Sequence, residues 1–268
     1  MPVYTDIAAE LWQPGKGALP DGVQFETRYV GETTITRVFI QKEGLARRKG
    51  RYTTVDTPNL AYIDPHDRRY TAAIAHELAN LLPEEGDILV AGLGNRHLAA
   101  DSLGPAVCDQ VLVTRHIPVE EDERAFIKLR RVAAVCPGIQ GKTGLAAADT
   151  LSALAQKLKP AAIICVDSLS TSKPGRLGCS VQLTDTGICP GGREADRLDR
   201  SVLGVPVIGI GVPTVMDAAE LCPCAHRLVV APQEIDLIVN RAAAVLALAI
   251  NRALQRRLTL GELRFLTS

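Results

Sequence analysis

From residue 87 onward the chain repeats one pattern: a short apolar run, a loop bearing Gly or Pro, then apolar residues at helical spacing. The runs 87–91, 131–136 and 161–166 lack the polar alternation of a half-exposed strand. Between them, 101–114 and 144–158 carry apolar positions three to four apart, as a helix requires. Unbroken apolar strands alternating with helices predict a buried, mostly parallel sheet covered on both faces, a three-layer α/β sandwich. "CSVQLTD" and "VPVIGIG" add two strands, and 232–256 a long closing helix.

Upstream the rhythm differs. "VQFETRYVGETTITRVFI" alternates about Gly31-Glu32 and predicts a small N-terminal β-hairpin. A basic loop and short strand follow in "GLARRKGRYTTVDTP", then a helix in "PHDRRYTAAIAHELANLLP" that stops at Pro83. Residues 1–20 are broken by Pro2, Pro14, Gly15, Gly17 and Pro20 and predict a loose arm. Residues 21–268 read as a single α/β domain, large enough to bury a core.

Composition narrows the function classes. Lys+Arg and Asp+Glu stand at 30 each, so no net field favours nucleic acid or an anionic membrane. "ARRKGRY" lacks the interleaved aromatics of a base-stacking surface. No leader pattern opens the sequence, and the Ala- and Leu-rich stretch 241–258 is interrupted by Arg241, Asn251 and Arg252, as in a packed helix. The seven cysteines are odd in number and scattered, the pattern of reduced thiols in a cytoplasmic protein. Cys222-Pro-Cys224 with His226 lacks a second ligand pair at zinc spacing, so no metal is expected.

Three motifs imitate known cofactor or metal sites and fail on a specific residue. "ILVAGLGNRHLAADSLGP" opens like a dinucleotide turn, but His97 stands where the third glycine belongs. "CPGIQGKTG" resembles a phosphate loop with Cys136 at the first glycine position. "AHELAN" has the His76-Glu77 of a zinc-protease helix, but Asn80 replaces the second histidine. No cofactor is expected.

Two acids remain. Asp101 follows the first apolar strand and Asp167 ends another. In an open parallel sheet the carboxyl ends of the strands share one edge, so residues distant in sequence can meet there. Two close carboxylates share a proton, and one can activate water while the other protonates a leaving group. The plainer alternatives are a helix N-cap for Asp101 and a turn-bonded strand end for Asp167. "LTDTGICPGG" holds Asp185-Thr186-Gly187, the triad of pepsin-like and retroviral proteases, which need two such loops in an all-β frame. Here Asp185 reads as part of a turn lining the same cleft.

With these residues in view, the chain resembles the germination protease of spore-forming bacteria. The resemblance runs in order through "GLGNRHLAADSLGPAVCDQVLVTRHI", "VCPGIQGKTGLAAADT", "AAIICVDSLST", "VQLTDTGICPGG", "LGVPVIGIGVPTVMDA" and "APQEIDLIVN". It implies an aspartic endopeptidase with Asp101 and Asp167 as the catalytic pair, on a fold like that of the hydrogenase-maturation proteases. It also implies small acid-soluble spore proteins as substrates, cut at Thr/Ser–acid–apolar sites followed by a small residue and then Glu. "TDIAAE" is similar to such a site, which makes residues 1–7 an expected propeptide and Ile7–Ala8 the expected self-cleavage bond of a zymogen. A homo-oligomer, a homotetramer by the family's habit, and a location in the cytoplasm of the forespore or spore core are further implications.

Two departures stand out. Seven residues make a short propeptide, and Ala219 to Val230 is a short connection between "PTVMDA" and "APQEID". Because the substrates carry acids on both sides of the cut, Arg96, His97, Lys142, Lys173 and Arg176 are expected to bind them, beside Asp185. The helix amides after Asp101 favour its ionised form and hence a role as base. Two alternatives stay open: a metal-dependent peptidase of the maturation type, and an inactive sporulation protein that binds through the same cleft.

Overall fold

The computed structural model describes residues 5–12, 18–64, 67–118, 129–222 and 228–267. Its frame is one twisted sheet. Strands β4 (Ile88–Gly92), β5 (Val132–Val135), β6 (Ala162–Ser170) and β8 (Val207–Asp217) run parallel in the order β5-β4-β6-β8. Beyond β8 the sheet turns antiparallel through β7 (Ser180–Thr184), β3 (Gly50–Asp56), β2 (Thr33–Ile40) and β1 (Val23–Val30). A short β9 (Val229–Val230) pairs with the end of β8.

The predicted hairpin at Gly31-Glu32 is present, with Val30 opposite Thr33. It does not stand apart from the domain. β3 carries it onto the edge of the central sheet, so the hairpin is a wing of the same layer.

Alternation of side chains along the parallel strands divides the core in two. Ile88, Val90, Ile164, Val166, Ile208 and Ile210 face one way, onto α2 (Arg68–Ala79), α3 (Leu103–Cys108) and α7 (Ile235–Leu254). Leu89, Ala91, Ile163, Cys165 and Val207 face the other way, onto α5 (Ala147–Leu158) and α6 (Arg200–Leu203). Helices on both faces of a largely buried sheet make the three-layer sandwich that the unbroken apolar runs predict. Side chains such as Ile164 are fully buried, each contributing about 1.5–3 kcal/mol of apolar transfer.

α7 is long and apolar enough to cross a membrane, but 67% of its most apolar window is buried inside the protein. Ala242, Leu246 and Ile250, one turn apart, face the sheet, so it is the central helix of a core layer. A further helix, α8 (Leu260–Thr267), closes the described chain.

The arm is not loose where it is described. Residues 8–11 form a short helix, α1 (Ala8–Leu11), and Ile7 and Ala8 are fully buried. Ile7 joins Leu93, Leu169 and Ile188 in one apolar cluster, while Ala8 packs with Val38, Ile40 and Tyr52 in another. The turn formers Pro14 and Gly15 lie outside the described residues, as do Cys224 and His226.

Candidate active site

The carboxyl edge of the parallel strands opens on a cavity of about 310 Å³. Its walls come from four loops: Leu93, Gly94 and Asp101 after β4; Gly138–Gln140 after β5; Ala146–Ala148 at the start of α5; and the segment from Pro190 to Asp196. Asp167, on β6 itself, completes the lining. Both acids singled out in the sequence therefore line one cavity.

Local backbone chemistry explains why Asp101 arrives there. Leu93 N–H donates to Val166 O (2.8 Å), which extends the β4–β6 pairing to the residue before Asp167. The chain then turns at Gly94, with φ +102, where a side chain would lie 2.1 Å from Asp101 O. Asn95 N–H donates both to Asp101 O (2.9 Å) and to Asp101 Oδ2 (2.8 Å), closing the loop on itself. From the far side, the buried Thr214 of β8 donates its hydroxyl to Ala100 O (2.7 Å). Asp101 thus ends a one-turn 3₁₀ helix (Ala99–Asp101) rather than capping α3, whose N-cap is Ser102. α3 itself is shorter than 101–114, since it ends at Cys108.

Asp167 sits within β6, opposite Gly211 of β8, and the strand continues to Ser170. Its carboxylate accepts the N–H of Ser168 (2.9 Å) and is only 3% exposed. Burial pushes its pKa well above the ordinary carboxylate value, and the negative charges of Asp101 and Asp6 push it the same way. Asp101 is also raised by burial, opposed by the Asn95 N–H bond. The two acids thus sit in unlike environments, with Asp167 the more deeply buried and the more strongly raised.

Of the residues expected to bind the substrate's acids, Arg176 reaches Glu10 of the TDIAAE stretch (Nε 3.5 Å away), and all six lie outside the cavity lining. Arg96 is exposed and forms a two-pronged ion pair with Asp109. His97 is exposed, with its N–H on Asn95 Oδ1, and Lys142 is exposed on α4 (Gln140–Thr143). Arg176 pairs with Asp56 (2.7 Å), and Lys173 belongs to the turn before it. Asp185 accepts the Arg51 N–H (2.7 Å). The cation in the cavity lining is Arg193, which pairs with Asp196 (2.6 Å). Arg193 follows directly on the "CPGG" turn, so that turn was the available signal for it.

Thr5–Glu10 is seated beside Asp167. Asp6 pairs with Ser170, and its charge acts on Asp167. Glu10 is the anchor: its carboxylate takes hydrogen bonds from Thr5 Oγ1 (2.7 Å), Thr171 Oγ1, Ser172 N–H (2.9 Å) and Ser172 Oγ (2.6 Å), with Arg176 Nε at 3.5 Å. The peptide bond between Ile7 and Ala8 is satisfied on both sides. Ile7 O accepts from Glu10 N–H (3.0 Å), and Ala8 N–H donates to Gln182 Oε1 (3.3 Å).

Among the described residues no group of three or more His, Cys, Asp or Glu is placed to hold a metal ion. Glu77 of the zinc-protease look-alike is buried in an ion pair with Arg37 that ties α2 to β2.

Two unlike carboxylates in one cleft at the strand ends of an α/β sandwich are an arrangement able to do acid–base chemistry. The sequence profile of the family described as Germination protease matches residues 13–223, and the chain belongs to that family of peptidases. It is 31% identical to the Germination protease of Clostridium acetobutylicum over 97% of this chain and 98% of that one. It is 35% identical to that of Clostridium perfringens over 90% and 77% of the two chains, and 38% identical to that of Oceanobacillus iheyensis over 82% and 65%. Among solved structures, a [NiFe] hydrogenase maturation protease HycI from Thermococcus kodakarensis matches 66% of this chain and 98% of its own, with 17% identity and a TM-score of 0.36.

Proposed function

We propose that the chain is an endopeptidase of the spore cytoplasm that uses Asp101 and Asp167 as a water-activating pair and is made in a latent form. The observation that carries this reading is the convergence of the two acids on one cavity, with Asp167 buried against like charge.

Asp167, the more strongly raised acid, enters the reaction protonated. Asp101, supported by the Asn95 N–H, is the more readily ionised and takes the proton from water. The hydroxide formed attacks the scissile carbonyl, and Asp167 delivers its proton to the departing amide nitrogen. Return of the proton from Asp101 to Asp167 then restores the starting pair.

The substrates this reading expects are small acid-soluble spore proteins bearing a sequence like Thr5–Glu10. Arg193, at the cavity mouth, is the cation placed to meet an acidic side chain. The chain's own copy is stored rather than cut: the Ile7–Ala8 bond is buried, both of its polar groups are occupied, and the helix begins at once after it. Self-cleavage then requires the arm to leave its seat and re-enter as an extended strand.

The test uses purified Asp101→Asn and Asp167→Asn variants with a peptide containing TDIAAE. Each variant is expected to lose cleavage by 10³-fold or more, on the order of a lost acid–base partner, while keeping its fold by circular dichroism. Retained activity in either variant would remove that residue from the mechanism.

A further inference from the structure

Cys108, at the end of α3, and Cys136, the residue after β5, are distant in sequence and meet behind the wall of the carboxylate cavity. The parallel register of β4 with β5 runs through Ala91↔Val135, so the next step sets Gly92 beside Cys136, about 4.8 Å across the ladder. Cys108 Sγ stands over Gly92, where an added methyl would lie only 2.8 Å from the sulfur. The same sulfur is 3.6 Å from Val135 O, the carbonyl of the peptide bond that leads into Cys136. Both thiols thus flank Gly92, close enough for each to act on the titration of the other.

The pair is asymmetric. Cys136 is exposed and Cys108 is partly buried. The Arg96 guanidinium, held in place by Asp109, lies 4.0 Å from Cys136 Sγ. The neighbouring Cys108 thiol and the Arg96 charge bring the Cys136 thiol down to about 7, while Cys136 and burial push Cys108 up. An exposed thiolate beside a shielded second thiol is the arrangement of an attacking and a resolving cysteine.

We infer that Cys136 and Cys108 form a peroxide-reactive dithiol site that closes to a disulfide along the cavity wall. The Cys136 thiolate attacks one oxygen of hydrogen peroxide, giving a sulfenic acid and releasing hydroxide. The Cys108 sulfur then attacks the sulfenic sulfur, and the sulfenic oxygen leaves as water with the Cys108 proton. Two thiols and one peroxide become one disulfide and two waters. A small dithiol reductant reverses the reaction by thiol–disulfide exchange. In a reducing compartment the pair rests open. Closed, it ties α3, which starts two residues after Asp101, to residues 137–140, of which Gly138, Ile139 and Gln140 line the cavity.

The test is made on the full chain, reduced, freed of reductant and exposed to about one equivalent of hydrogen peroxide. Peptide mapping after thiol blocking is expected to yield one linked pair, Cys108 with Cys136, and a mass lower by about 2 Da that dithiothreitol restores. Before oxidation, Cys136 is expected to react with iodoacetamide several-fold faster than Cys222, which is also exposed, and Arg96→Gln to reduce that advantage. Cys108→Ala should stop at the sulfenic acid on Cys136. A bridge through any other cysteine, oxidation spread evenly without a bridge, or Cys136 no faster than Cys222 would overturn the inference. The linked peptide from the unaltered chain decides the matter even if the Cys108 variant does not fold.

Discussion

Glu10 and Ser172 are joined twice: Glu10 Oε2 accepts both the Ser172 N–H (2.9 Å) and the Ser172 hydroxyl (2.6 Å). Ser172 lies just past the end of β6, the strand that holds Asp167, so this contact fastens the arm to the site. Charge-assisted bonds to a buried carboxylate are among the stronger ones a surface segment can make. They also explain why an arm rich in turn formers is ordered at Thr5–Leu11.

Loosening that anchor should release the arm. The double variant Thr171→Val with Ser172→Ala removes two hydroxyl donors from Glu10 and leaves the Ser172 N–H. At about 1.5 kcal/mol for each lost charge-assisted bond, the open arm becomes roughly 150-fold more populated. Intact mass measured over time is expected to show faster loss of residues 1–7 than in the unaltered chain. An unchanged or slower rate would mean that the Glu10 contacts do not restrain cleavage.

Asp167 should cost the fold stability at neutral pH. Its folded-state pKa is raised, mainly by burial and then by Asp101 and Asp6, so above the unfolded value the folded state binds more protons than the unfolded one. Stability therefore falls as pH rises from about 4 toward the folded pKa, and this contribution is absent below the unfolded value. Asp167→Asn removes the penalty. Its melting temperature is expected to exceed that of the unaltered chain at pH 7, by roughly 2–4 °C per kcal/mol released, with the gap closing near pH 4. Equal melting temperatures at both pH values would show that Asp167 ionises freely in the fold.

Much of this arrangement was legible in the sequence, and the limits of legibility were physical. The parallel strands could be read because burial on both faces forces unbroken apolar runs such as "ILVAG". The acids stood out because a carboxylate next to such a run is costly unless it is used or bonded. The seat of the arm was not legible, since local propensity at Pro14 and Gly15 says nothing of the distant Ser170, Ser172 and Gln182 that hold Thr5–Glu10. Which cation lines the cavity was not legible for a similar reason. Arg96 sits on a loop near the right edge but is drawn to Asp109, and Arg176 is shared between Asp56 and Glu10 of the arm, partners that only the folded chain brings near. The hairpin's attachment to the sheet depends on β3 pairing with β7, a long-range register that neither strand announces.

Gly94→Ala should damage the site more than the fold. The position has φ +102, and its new methyl would lie 2.1 Å from Asp101 O and 2.8 Å from Asp101 Oδ1. Both the strain and the clash push against the residue that the Asn95 N–H holds in place. Cleavage of a TDIAAE peptide is expected to fall by two orders of magnitude or more, as for a misplaced catalytic group. Near-native activity would show that the loop can move without carrying Asp101 with it.

The Arg37–Glu77 pair should carry the attachment of α2 to the hairpin wing. Two hydrogen bonds, at 2.6 and 2.9 Å, join the groups, and the Glu77 side chain is only 3% exposed. Removing Arg37 leaves a buried carboxylate without its cation, at a cost of about 3 kcal/mol. Arg37→Met is expected to lower the denaturation midpoint strongly while Arg37→Met with Glu77→Leu recovers most of the loss. A single variant as stable as the unaltered chain would show that Glu77 finds another partner.

Arg193 is the last residue for which the geometry makes a specific demand. It lines the cavity and is three-quarters exposed, with Asp196 as its partner in the same loop. An acidic side chain on an incoming peptide would compete with Asp196 for the guanidinium, a modest gain because solvent screens both contacts. Arg193→Gln is expected to raise KM for a TDIAAE peptide about fivefold and leave kcat nearly unchanged, since the contact is the same in ground and transition states. A matched peptide with Asn in place of its Asp and Gln in place of its Glu should show no such difference between the two enzymes. If Arg193→Gln instead lowers kcat, the residue acts on the reacting groups; if neither constant moves, acidic side chains are read elsewhere along the cleft.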